Sequence, residues 1–228
     1  MNSLRRRIQT AMQGGGKKAF LPPPVAGVQF WYDATQIVGL NDGDAVATWN
    51  DLSVNGRNLT QGTAASQPTY QTNEQNGKPG VLGDGVDDSM STTAFTRNQP
   101  HAVWICYRAN VNPNHNTLID GHVVNTARLL WIPGLAHLTG YAGAVLTNSR
   151  DYGNTVVAYV LFNGASGQLI VNGVSVTGNI GSSAASGLKI LAAGATFASA
   201  IIFEMFGSNG SSTADRDVGI AYLTGKWL

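Results

Sequence analysis

At 228 residues with 43% apolar side chains, the chain can bury a sizeable core, and all-β sandwiches of this length commonly form one domain. A lone cysteine, Cys106, excludes an intramolecular disulfide framework, and no apolar run approaches the roughly eighteen residues of a membrane span. The net charge of +1 hides an asymmetry: Arg5, Arg6, Arg7, Lys17 and Lys18 precede the first acid, while the other Lys and Arg are outnumbered by acids. A basic tail on a mildly acidic body points to the tail meeting a negative surface.

Residues 3–13 read as a short amphipathic helix. Ser3 can cap it, and Leu4, Ile8, Ala11 and Met12 recur at helical spacing to make one apolar stripe beside the arginines. The Gly14-Gly15-Gly16 run stops it, and so short a helix is marginal alone in water, so it should form only when docked. Residues 8–13 are too polar and too short for the apolar region of a secretory signal, so ordinary signal-peptide export is not expected. Residues 14–24 form a linker, stiffened at its end by Pro22-Pro23-Pro24.

The body begins with a first strand over Val25 to Tyr32. Further strands are expected at His101–Ala109, Arg128–Ile132, Val156–Phe162, Leu188–Ala192 and Ile201–Phe206. Gln168–Val171 and Val174–Thr177 flank Asn172-Gly173, a pair suited to a type I′ hairpin turn because both residues tolerate positive φ. Cys106 lies in the run Val103-Trp104-Ile105-Cys106-Tyr107 and reads as a buried, inert thiol. The last element, Thr213 to Lys226, looks helical. Ser212 or Thr213 can cap it, Asp215 and Asp217 suit its N-terminal dipole, and Val218 and Tyr222 share a face. Short strands with turn chemistry between them suggest an all-β sandwich.

One stretch is more specific. It runs Trp49-Asn50-Asp51-Leu52-Ser53-Val54-Asn55-Gly56-Arg57-Asn58-Leu59-Thr60-Gln61, then Gln67-Pro68-Thr69-Tyr70, Asn76-Gly77-Lys78-Pro79-Gly80-Val81 and Asp84-Gly85-Val86-Asp87-Asp88. With the hairpin at 168–174 and the ending Ala221-Tyr222-Leu223-Thr224-Gly225-Lys226-Trp227-Leu228, it resembles LamG-like, concanavalin A-like jelly-roll domains. These are common in bacteriophage virion proteins and secreted glycan-binding modules. The resemblance covers about residues 25–228 and implies a two-sheet antiparallel jelly roll with a short C-terminal helix, preceded by an arm at 1–24. Gly83 departs from it, standing where the family usually has a bulky apolar residue.

The resemblance leaves function open, because one fold hosts many activities. Glycoside hydrolysis normally needs two flanking carboxyl groups, and the retaining glucanases of this fold carry Glu-x-Asp-x-x-Glu on one strand. Here the only glutamates, Glu74 and Glu204, are widely separated. Asp84, Asp87 and Asp88 invite a calcium reading, but without a full calcium loop they read better as a turn with Gly85 supplying a special backbone angle. The histidines, with one cysteine, form no recognisable transition-metal pattern, and no nucleotide or nucleophile motif appears, so no cofactor is expected. Trp49, Trp104 and Trp227 sit in core-like segments, whereas Trp131 before Ile132-Pro133-Gly134 is a candidate glycan contact.

The expectation is a non-enzymatic bacteriophage virion protein on the outer surface of tail or head, present in several copies or as a homo-oligomer. Leu4, Arg5, Arg6, Arg7, Ile8 and Met12 would dock residues 1–24 on other virion proteins, and the jelly roll would face outward toward a host surface glycan. A stand-alone carbohydrate-binding module and a glycoside hydrolase of the same fold are the alternatives.

Overall fold

Strand pairing sorts the body into two layers in the computed structural model, which describes residues 21–110, 116–122, 128–132, 137–149, 153–210 and 212–228. The arm residues proposed for docking lie outside this range. In chain order the strands are β1 (Val28–Asp33), β2 (Thr48–Trp49), β3 (Leu59–Thr60), β4 (Thr69–Gln75), β5 (Lys78–Asp84), β6 (Met90–Ser91) and β7 (Thr96–Arg97). There follow β8 (His101–Ala109), β9 (Asn116–Asp120), β10 (Arg128–Ile132), β11 (His137–Tyr141), β12 (Val145–Ser149), β13 (Thr155–Phe162), β14 (Gly167–Val171) and β15 (Val174–Gly178). The chain ends with β16 (Ala185–Ser186), β17 (Lys189–Ile190), β18 (Ala192–Ala193), β19 (Thr196–Phe197), β20 (Ser199–Ser208) and one helix, α1 (Thr213–Trp227).

The first sheet has the order β15-β14-β13-β8-β20-β5-β4, with β1 also on β20. The second has the order β12-β11-β10-β9-β17-β6-β3-β2. All the pairings are antiparallel, and the two sheets enclose one core as a jelly-roll sandwich of concanavalin A-like type.

The near-continuous apolar runs of β8 and β20 arise because both faces of the first sheet are covered. Along β8, Val103, Ile105, Tyr107 and Ala109 enter the inter-sheet core, while Ala102, Trp104 and Cys106 face a second cluster under α1. That second cluster includes Trp31, Phe203, Phe206, Leu223 and Trp227. Cys106 is buried, and burial together with the nearby Glu204 carboxylate pushes its thiol well up, so the inert reading holds.

Glycines permit several of the close approaches. Gly219 of α1 lies directly on the Trp104 indole, where a Cβ would overlap the ring. Gly83 explains the departure from the family pattern: a Cβ there would sit 2.7 Å from the Ala198 carbonyl and 3.0 Å from Leu191 Cδ1. The space the usual bulky residue would fill is taken by neighbours.

The Asn172-Gly173 hairpin has positive φ at both residues, 46° and 84°, as the sequence requires. Ser212 caps α1, accepting from the Asp215 amide at 3.1 Å and donating to the Asp215 carboxylate at 2.7 Å. Two expected boundaries move. The first strand starts at Val28 because Gly27, at φ 65°, turns the chain there. The strand expected at 188–192 breaks at Leu191, which takes φ 64° as the chain leaves β17 for β18. The first described residues run along α1: Leu21 O accepts from Tyr222 OH at 3.2 Å, and Ala26 N donates to Asp215 Oδ1 at 3.2 Å.

Candidate functional site

The sandwich has two outer faces. On the first sheet, a bulge between Ile202 and Glu204 turns Glu204 toward α1 in an otherwise apolar strand. Its carboxylate is completely enclosed. Oε1 accepts from Trp31 Nε1 at 2.8 Å and Tyr222 OH at 2.9 Å. Oε2 accepts from Trp227 Nε1 and meets Lys226 Nζ, both at 2.7 Å. Lys226 also reaches Asp33 Oδ2 at 2.5 Å, and Asp33 Oδ1 accepts from the Thr35 amide at 2.9 Å.

Burial and the Asp33 charge push Glu204 upward in pKa, while Lys226 and the Trp227 hydrogen bond pull it back. Tyr222 and Trp227, like Lys226, are contributed by the helix, and Trp31 and Asp33 by β1. This arrangement fastens the helix to the sheet and leaves Glu204 no free lone pair toward solvent. Glu74, the other glutamate, is elsewhere, on β4, where it pairs with Arg108.

The outer face of the second sheet differs. Strand alternation sends Leu129, Leu138, Leu146 and Ile190 into the core. The opposite side therefore carries Arg128, Thr139, Tyr141, Thr147 and Lys189, with Asp120 in register with Lys189 and Tyr141 in register with Arg128. Arg128 Nε lies 3.3 Å from Asp120 Oδ2, and its guanidinium is 5.9 Å from the Tyr141 ring centroid. Thr139 and Thr147 hydroxyls meet at 3.4 Å.

Tyr141, Arg128, His137 and Lys189 are half-buried and reachable, whereas Asp120, Thr117 and Thr139 are enclosed. His137 Nδ1 has no hydrogen-bond partner. A half-exposed aromatic ring beside a planar cation, a carboxylate and hydroxyls can stack on the apolar face of a polyhydroxylated ring while bonding its hydroxyls. Sequence reading missed this group. The usable signal was the alternation in His137-Leu138-Thr139-Gly140-Tyr141, which places polar residues on one side.

The residues singled out from sequence are placed as follows. Trp49, Trp104 and Trp227 are buried, as expected. Trp131 lies on β10, its backbone paired with Leu138 and Asn116, and its side chain is outside the described residues. Asp84, Asp87 and Asp88 converge, with a carboxylate oxygen of each within 4.8 Å of the others. Asp84 Oδ1 accepts from the Val86 and Asp87 amides at 2.8 and 3.3 Å, Asp88 Oδ2 from the Asp84 amide at 3.0 Å, and Asp87 Oδ2 from Ser66 Oγ at 3.0 Å. Gly85 adopts φ 81° in that turn. Burial, with the neighbouring Asp84 and Asp87 charges, raises Asp88 to about 6. A shallow cleft of about 270 Å³ lies between residues 36–40 and 45–52, lined by Gln36, Ile37, Leu40, Trp49 and Asn50 among others.

No family model and no curated protein matches the chain. Among solved structures it is similar to Trypanosoma rangeli sialidase in complex with sialic acid, at 11% identity and TM-score 0.61, covering 99% of this chain and 38% of that one. It is also similar to domain 4 of AbnA, a GH43 extracellular arabinanase from Geobacillus stearothermophilus, in complex with arabinotriose, at 12% identity and TM-score 0.62, covering 86% and 99%. The binding domain of Paraclostridial Mosquitocidal Protein 1 aligns at 11% identity and TM-score 0.59, covering 87% and 52%. The chain thus spans under two-fifths of the sialidase it matches. At these identities the likeness bears on the fold, and it agrees with the jelly roll described above.

Proposed function

We propose that the chain is a non-enzymatic, glycan-binding component of a bacteriophage particle, displayed in several copies, with residues 1–24 docked on other virion proteins. The observation that carries the glycan reading is the polar outer face of the second sheet, where Tyr141 and Arg128 stand reachable beside Asp120 and Lys189. The likeness to a sialidase solved in complex with sialic acid and to an arabinanase domain solved in complex with arabinotriose adds support. The virion assignment rests on the motif resemblance and on the basic amphipathic stretch at 3–13. The non-enzymatic reading is supported by the occupation of Glu204 by four donors and by the pairing of Glu74 with Arg108.

Single sites should bind weakly, and many copies on one particle should bind firmly. A multimerised body (residues 21–228) is applied to an array of bacterial surface glycans. Binding that falls at least tenfold in Tyr141→Ala, with no new reducing ends released, supports the proposal. A blank array, or binding indifferent to Tyr141, refutes the glycan face. The virion part is tested apart from it: deletion of residues 1–13 should abolish incorporation into particles while the body still folds.

A further inference from the structure

Arg97 on β7 reaches into the space between the sheets, its guanidinium 6.0 Å from the centroid of the Phe30 ring. The residue is 2% exposed, and none of its three guanidinium nitrogens has a hydrogen-bond partner. Burial lowers it only to about 10, so it is charged at neutral pH. The carboxylate whose charge acts on it, Asp120, already accepts from the Gly121 amide at 2.7 Å and faces Arg128 at 3.3 Å.

A second orphan lies nearby. His101 is buried against Phe162, ring centroids 4.7 Å apart, and its Nδ1–H donates to the Asn98 carbonyl at 3.3 Å. Burial and the Arg97 charge hold this imidazole neutral, down to about 3. Its Nε2 is therefore an acceptor, and that too has no partner. The core thus contains a full positive charge with five unused N–H groups beside an unused lone pair. Buried charges in folded proteins are paired, and an orphaned buried donor points to a guest.

We infer that the inter-sheet space beside Arg97 binds one small monoanion, of the size of chloride or formate, together with a water molecule that donates to His101 Nε2. Water alone would satisfy the hydrogen bonds and leave two guanidiniums, Arg97 and Arg128, to the one Asp120 carboxylate. A single negative charge matches the guanidinium, with Phe30 beside Arg97 and Phe162 against His101 as apolar walls. Asp120 is shared with the polar outer face, and the experiment reads anion binding rather than glycan binding.

Thermal unfolding of the full chain tests it at pH 7 and fixed ionic strength, as gluconate, a large polyhydroxylated anion, is replaced by chloride or formate. The midpoint should rise by about 3 °C per tenfold increase in chloride once the site's dissociation constant is exceeded. Arg97→Met should remove that dependence. Arg97→Lys keeps the charge but loses the fork, and should weaken the chloride affinity at least tenfold should the Met variant fail to fold. A wild-type midpoint indifferent to chloride and formate, or a dependence unchanged in Arg97→Met or Arg97→Lys, overturns the inference.

Discussion

The two outer faces of the sandwich are built from the same alternation and come to opposite ends. On the first sheet, Trp31, Trp104, Phe203 and Phe206 point outward and are sealed by α1, with Glu204 enclosed among them and the partly buried Lys226 paired to it. On the second sheet, the outward positions are Arg128, Thr139, Tyr141, Thr147 and Lys189, and no helix packs on them among the described residues. The difference sets a face built for stability against the face proposed for recognition in one layer architecture. The closed face holds the polar groups that must never be exposed, and the other keeps polar groups that water or a ligand can reach.

The strongest way to break this contrast is to strip the closed face of its cation. Lys226→Met leaves Glu204 and Asp33 enclosed without their counter-charge and should cost about 3–5 kcal/mol in urea unfolding, with α1 released first. An effect below 1 kcal/mol would mean that the network is not what holds the helix. Trp227→Ala removes both the indole donor to Glu204 and its stacking on Phe203, at 5.2 Å between centroids, and should cost a comparable ~3–5 kcal/mol. Gly219→Ala is smaller: the added methyl must displace Trp104, at about 1–3 kcal/mol, read from the same denaturation curves.

Asp88 gives a pH handle away from both faces. Its folded value near 6 exceeds the ordinary carboxylate range, so the folded state holds the proton more tightly than the unfolded chain. That contribution is fully present below about pH 4 and is lost as pH rises through 6. Asp88→Asn, which keeps an oxygen for the Asp84 amide, should flatten the fall in stability between pH 4 and 7. A fall of wild-type size in the variant would assign it to other groups. The smallest expected change is Tyr141→Ala, about 1 kcal/mol in stability, because the ring is only partly buried. A large loss of stability there would erase the distinction between the faces.

The closed face was partly legible in the sequence. Its ending supplied Tyr222, Lys226 and Trp227 as motif residues, and the structure gives the reason: all three converge on Glu204. What pattern reading could not supply was Glu204 itself as their target. A lone acid inside an apolar strand gives no sign of its direction, and a bulge sets that direction. Asn76-Gly77 carries the same positive-φ signature as Asn172-Gly173, at 50° and 72°, yet the β4–β5 hairpin it joins lacks a strongly apolar run and so went unread. The polar face escaped for a related reason. Strands β9, β11 and β12 are short and half polar, so only the assembled register reveals that Arg128, Asp120 and Tyr141 are neighbours, and Lys189 joins them from β17, distant in sequence.

The contacts of Leu21 and Ala26 with α1 also define a load path. A pull transmitted from the N-terminal side runs along the chain into β1, which is paired to β20 and carries Trp31 into the Glu204 cluster, and is shared with the helix through Tyr222 and Asp215. Both routes thus lead into the first sheet and the Glu204 cluster. The side carrying Tyr141 and Arg128 points the other way, so under the docking proposed above a tether leaving through residues 21–26 would hold that side outward.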